Sequence, residues 1–324
     1  MKAKKLLPLL LVAPLLASCG GSKKVNPKFA KEGDKVELAA FNTAMNDAAK
    51  EGEFIGKSEE GYKLPSLVWT TESQSSSDES VTRGKKAISE NNSYSESKYE
   101  GQYDSQNALY ARSGKSSSTA SQKTTSGLNV SQTTSGKVKT MRQAQSVDGK
   151  DYMVLANEVS KEYSKVTELS ESVTASSYLD SYIKSEFGWA EMGIGILVLA
   201  LEYMSEQYAP YTALYQNDKV FTAVYDKLEE NVETKDIEEK VVYTTTTHTF
   251  NKYQLDYSKA DVIKCVNYEE KEITVTYAQD EDDYAKGDVY KKVTKSYSVD
   301  VATKKEVSLK AVDLSSFTKL GKTW

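Results

Sequence analysis

The chain has 324 residues, with 42 Lys+Arg against 47 Asp+Glu and a single histidine. A formal charge of −5 excludes the basic face that nucleic acid or an anionic headgroup surface needs as an electrostatic partner. One histidine cannot build a histidine-rich zinc site, and two cysteines leave no room for a disulfide framework once either is used elsewhere.

Met1 to Lys5 carries three lysines and no acid, and Leu6 to Leu16 is almost wholly apolar, broken by Pro8 and Pro14. A charged start, a short apolar run and a small-residue exit make a secretory signal, and the run is too short to span a bilayer. The exit reads Leu16-Ala17-Ser18-Cys19, then Gly20-Gly21. That spacing resembles the lipobox of bacterial lipoproteins. The resemblance implies a signal peptide over 1–18, cleavage between Ser18 and Cys19, and a diacylglycerol on the Cys19 sulfur. The chain would then sit on the extracytoplasmic face of a bacterial membrane, lipid-anchored in the cell envelope. Three lysines leave with the leader, so the mature charge is 39 minus 47, or −8. Cys265, in the run Val262-Ile263-Lys264-Cys265-Val266, is left without an intrachain partner and reads as a small buried hydrophobe.

Residues 19–28 read as the lipidated terminus and a flexible polar spacer, and 29–324 as a single domain. Leu38, Phe41, Met45 and Ala48 recur at helical steps, with Gly52 as the stop. From Leu67 to about Thr167, aromatic and β-branched segments separated by Gly, Ser, Asp and Asn predict strands. Asp148-Gly149 is a hairpin-turn signal. The Ser/Thr/Gln-rich stretch from Ser113 to Ser135 fits either a linker or Thr-rich strands; the spacing of Gly114, Gly127 and Gly136 favours strands.

Ser176 to Leu228 reads as helical. Within it Trp189 to Leu201 is the most apolar stretch of the mature chain, yet only ten residues separate Glu191 from Glu202, against the roughly 20 that a membrane span needs. Val220, Val224 and Leu228 predict a further amphipathic helix. In the C-terminal third, Ile273, Val275 and Tyr277, then Val289, Val293, Tyr297, Val299 and Val301, alternate as in antiparallel strands with one wet face. Val307, Leu309 and Ala311 read as a continuation. The order of elements predicts an α+β fold, a curved antiparallel sheet packed on helices. It resembles the half-barrel of the LolA/LppX-like lipoproteins and carriers, which implies a sheet curled around helices that plug its concave side.

The motifs of common chemistry are incomplete. Gly193-Ile194-Gly195 lacks the third glycine of a dinucleotide fingerprint, Val198 standing in its place. Ser-x-x-Lys occurs at Ser95, Ser181 and Ser316 without the partner motifs of a penicillin-recognising enzyme. His248 reads as a surface or edge-strand residue, and Asp280 to Asp283 as a solvated hairpin loop without EF-hand spacing. No catalytic residue, metal or cofactor is expected, and no enzyme. The suggestive group is Ile194, Ile196, Leu197, Val198, Leu199, Leu201 and Met204, apolar nearly all round its helix and so in need of cover on every side. Part of it is expected to line an acyl-chain cavity. The function so predicted is non-enzymatic binding of a lipid or other apolar ligand by a membrane-anchored lipoprotein. The alternative is a surface or structural lipoprotein with a filled core and no small ligand.

Overall fold

The computed structural model describes residues 24–51, 64–83, 86–235, 241–259, 261–277, 288–303 and 306–320. A short strand β1 (Asp34–Lys35) and helix α1 (Leu38–Glu51) precede six strands in direct succession. These are β2 (Leu67–Arg83), β3 (Lys86–Asp104), β4 (Leu109–Thr124), β5 (Asn129–Val147), β6 (Lys150–Asn157) and β7 (Glu162–Glu168). Helix α2 (Ala175–Tyr203) and a single turn α3 (Ser205–Tyr208) lead into β8 (Thr212–Asn217), β9 (Val220–Lys235), β10 (Val241–Lys259), β11 (Val262–Tyr277) and β12 (Asp288–Thr303). A two-residue strand β13 (Thr318–Lys319) closes the described chain.

All thirteen strands form one sheet, in the order β1-β8-β9-β10-β11-β12-β2-β3-β4-β5-β6-β7-β13. Two hairpin meanders are joined where β12 pairs antiparallel with β2 over sixteen residues, Asp288 facing Thr82 and Thr303 facing Leu67. Every pairing is antiparallel except that of β13 with β7. Among the described residues no pairing links β1 to β13, so the sheet ends in two edges.

This corrects the α+β half-barrel expectation: strands dominate, and the helices cover part of one face rather than forming a layer of comparable weight. The predicted helix over Val220, Val224 and Leu228 is strand β9. Four-residue spacing is compatible with both helical and period-two patterns, and Val220, Phe221, Thr222 and Ala223 are all buried, so the alternation that marks a half-wet strand is absent where β9 starts. The 113–135 stretch is strand in β4 and β5, on either side of a turn at 125–128. Asp148 (φ 56°) and Gly149 (φ 79°) both adopt positive φ, as the expected two-residue turn between β5 and β6 requires. The Asp280–Asp283 loop lies outside the described residues, as does the leader through Cys19.

The main core sits between the sheet and α1 and α2. Phe41, Leu179, Ile183, Ile194, Leu197 and Leu201 meet Leu67, Trp69, Tyr103, Phe221, Leu255 and Val299, all buried. α2 starts at the N-cap Thr174, whose hydroxyl accepts from the Ser177 amide at 3.2 Å, satisfying one free N–H of the first turn. Among the described residues no helix is long and apolar enough to cross a membrane, which says nothing about strands.

The opposite, or back, face is crossed by both ends of the chain. Residues 306–317, predicted in part as a strand at Val307–Ala311, form an extended strap whose Leu309, Val312, Leu314 and Phe317 pack on Leu109, Met141 and Ala156. Gln143 fixes it: Nε2 donates to the Val312 carbonyl at 2.9 Å and Oε1 accepts from the Val312 amide at 2.7 Å. The N-terminal segment is held in the same way. Gln254 Oε1 accepts from the Ala30 amide at 2.6 Å and Nε2 donates to the Ala30 carbonyl at 3.2 Å. Both glutamines are nearly inaccessible, at 2% and 3% exposure, so each amide replaces with backbone partners the water it gives up.

Candidate functional site

The seven apolar residues singled out on α2 divide into two groups. Ile194, Leu197, Val198 and Leu201 are buried against the sheet. Ile196 (56% exposed), Leu199 (53%) and Met204 (45%) face away. Among the described residues the four inward side chains pack into the core where an acyl-chain space was expected. The expected lipid or apolar-ligand cavity is therefore corrected. Open grooves flank α2, walled on the strand side by largely polar or aromatic residues.

The groove on the β11 side encloses about 700 Å³ and runs from Ile196 across Tyr253, Asn267, Tyr297 and Ser73. A second, of about 600 Å³, continues past Ile196 toward Leu199, Tyr203 and Tyr225. They meet at Gly193. A Cβ there would stand 2.6 Å from Tyr253 Cδ1 and 2.7 Å from Cε1, closer than real contacts allow, so the glycine lets the ring lie directly on the helix backbone. This accounts for part of the Gly193-Ile194-Gly195 motif by packing rather than by phosphate binding.

The floor is set by strand register. One cross-strand row is Tyr253, Asn267, Tyr297, Ser73 and Ser97, on β10, β11, β12, β2 and β3. The row two residues on is Asn251, Glu269, Lys295, Ser75 and Ser95. With strands about 4.8 Å apart, five of them present roughly 19 Å of aligned side chains. The serines pair, Ser73 with Ser97 at 2.8 Å and Ser75 with Ser95 at 2.9 Å. Tyr253 donates to Glu269 Oε1 at 3.3 Å. Burial first, and then the Glu269 charge and hydrogen bond, push the Tyr253 phenol above its ordinary pKa, so it stays a neutral donor. Cys265 is buried beneath this floor, its Sγ 3.4 Å from Asn267 Oδ1, as the sequence predicted for a small core residue. The site thus brings aromatic faces, an amide, hydroxyls and a Glu–Lys pair of positions into one open trough.

No family model and no curated protein matches this chain. Among solved structures, it is similar to the outer membrane protease OmpT from Escherichia coli at 8% identity and TM-score 0.20, over 74% of this chain and 97% of that one. It is similar to the transport unit of the autotransporter AIDA-I from Escherichia coli at 7% identity and TM-score 0.23, over 82% and 98%. OprB from Pseudomonas putida gives 8% identity and TM-score 0.19, over 83% and 100%. TM-scores this low carry neither activity nor location from these proteins to this chain. The resemblance to the LolA/LppX-like half-barrel finds no support among them.

Sequence reasoning missed the floor of the groove because Tyr253, Asn267, Tyr297 and Ser73 lie on four strands. Their period-two alternation was legible for β12, but the pairing that aligns them is tertiary.

Proposed function

We propose that this chain is an exported domain of the bacterial cell envelope, tethered through lipid on Cys19, that binds a polyhydroxylated ligand of saccharide type without bond-making chemistry. The address rests on the basic start, the apolar run and the Leu16-Ala17-Ser18-Cys19 exit. The binding role rests on one observation: the Tyr297 ring, the Asn267 amide and serine hydroxyls line an open trough of about 700 Å³, with Tyr253 buried under α2 at its edge. A sugar ring offers apolar C–H faces and a rim of hydroxyls, and this floor offers partners for both. The mixed lining disfavours an acyl chain, which would leave Asn267, Glu269 and Lys295 desolvated without compensation.

Titration calorimetry of the full chain against neutral and amino-sugar oligosaccharides tests the binding role. Saturable binding is expected, weakened about tenfold by Tyr297→Ala or Asn267→Ala, as loss of one ring contact or one hydrogen-bonding amide implies. Absence of saturable binding to every oligosaccharide sinks it. Mass spectrometry of the chain recovered from membranes tests the tether, through an acyl mass on Cys19 that is lost in Cys19→Ser.

A further inference from the structure

On the back face, away from the groove, register aligns Leu228, His248, Glu272, Lys292 and Asp78 in one row. The next row holds Asp226, Phe250, Glu270, Thr294 and Ser76. Of the expected surface or edge-strand placement, the chain's one histidine keeps the first: it is part-exposed, on an interior strand with β9 and β11 hydrogen-bonded on either side. A ring nitrogen of His248 and one carboxylate oxygen each of Glu270 and Glu272 lie within 4.8 Å of one another, all three residues half-buried. Asp226 Oδ1 stands 2.7 Å from His248 Nε2.

We propose that His248, Glu270 and Glu272 form a binding site for a divalent transition-type cation, with zinc as the reference ion and Asp226 as the carboxylate that orients the imidazole. Three features carry this beyond an acidic cluster. First, the set contains a neutral nitrogen donor among carboxylates, a mixture that suits zinc, whereas calcium takes six to eight oxygens. Second, the imidazole already has the outer carboxylate that metal-bound histidines usually carry. Third, the charge is unbalanced. Asp78, Asp226, Glu270 and Glu272 share these rows with Lys292 as their cation.

Lys292 is the resident competitor. Its Nζ lies 2.6 Å from Glu270 Oε1 and 3.7 Å from Glu272 Oε2, and Tyr268 donates to Glu270 Oε2 at 2.6 Å. Ligand atoms around a tetrahedral zinc stand about 3.4 Å apart, from bonds of about 2.0–2.2 Å, so the two glutamates must close inward as the lysine swings out.

The test is zinc uptake by the full chain, measured by competition with a chromophoric chelator, with cobalt substitution to read ligand geometry from the visible absorption. One zinc per chain is expected. His248→Ala and Glu272→Gln should each abolish it, and Asp226→Asn should weaken it about 10- to 100-fold. Lys292→Met, which removes the competing cation, should tighten it. Circular dichroism of each variant separates loss of the site from loss of the fold, and Glu272→Gln, nearly isosteric, serves if His248→Ala fails to fold. No stoichiometric zinc uptake, or uptake unchanged in His248→Ala and Glu272→Gln, overturns the proposal. The oligosaccharide measurement reads the opposite face, so either can fail without the other.

Discussion

Replacing Gln143 by Leu tests how the C-terminal strap is held. The side chain is 2% exposed, and its amide makes two hydrogen bonds to Val312, at 2.9 and 2.7 Å. Each neutral hydrogen bond contributes about 0.5–1.5 kcal/mol net, so the pair contributes about 1–3 kcal/mol. Leucine is close in volume, so little cavity cost is added. The cost of two desolvated backbone groups need not fall on the whole molecule, because the strap can lift from Leu109, Met141 and Ala156 and rehydrate Val312. Local opening is the cheaper response whenever a segment carries few contacts of its own. The assay is amide hydrogen exchange. Protection across residues 306–317 should fall about 5- to 100-fold, at 1.4 kcal/mol per decade, while β10 and β11 keep theirs. If strap exchange is unchanged, Gln143 is not the fastener. If exchange rises equally everywhere, the strap is an inseparable part of the global fold. Either result refutes the reasoning.

Tyr103 donates to Asp180 Oδ1 at 2.7 Å in the core, so Tyr103→Phe leaves a nearly buried carboxylate without that donor and should cost about 1–3 kcal/mol, read as a lower denaturation midpoint at unchanged slope. Asp104 is pushed up by burial, but hydrogen bonds from the Asn107 side chain and from the Asn107, Leu309 and Gln106 amides bring it below the ordinary carboxyl value. A depressed folded pKa means the contribution is fully present above the unfolded value of about 3.9 and is lost as pH falls through the folded one. Thermal melts should therefore lose stability below about pH 4, by a smaller amount in Asp104→Asn than in the native chain. The phenols have the opposite sign. Tyr94 is pushed up to about 12 by burial and by Glu96, and Tyr103, Tyr253 and Tyr268 are raised by burial and neighbouring carboxylates. Their contribution is present below the unfolded value of about 10 and lost as pH rises. Absorbance of tyrosinate should therefore appear in two steps, the second coinciding with alkaline unfolding. A Cβ at residue 193 would meet the Tyr253 ring at 2.6 Å, so Gly193→Ala should displace that ring and weaken oligosaccharide binding more than it shifts the melting temperature.

Several features were legible in the sequence because they are local. The α1 stripe of Leu38, Phe41 and Met45, the Asp148-Gly149 turn and the alternation of β11 and β12 each depend on residues a few positions apart. Even the Ser/Thr-rich strands β4 and β5 announced themselves through glycine spacing and threonine content. Tertiary structure decided the rest. β9 escaped notice because burial on both faces erases alternation, leaving a four-residue spacing that helix and strand share. α2 looked as though it needed cover all round, but a sheet covers only one side of a helix, and Ile196, Leu199 and Met204 were left to line an open groove. The seam between β12 and β2 joins residues about 220 positions apart, a pairing set by which sheet edges remain unpaired rather than by any local pattern. That seam aligns Tyr297 with Ser73 and Lys292 with Asp78. Composition could say that tyrosines, serines and one histidine were present; only register could say which of them face the same way, because a shift of one residue sends every side chain to the opposite face.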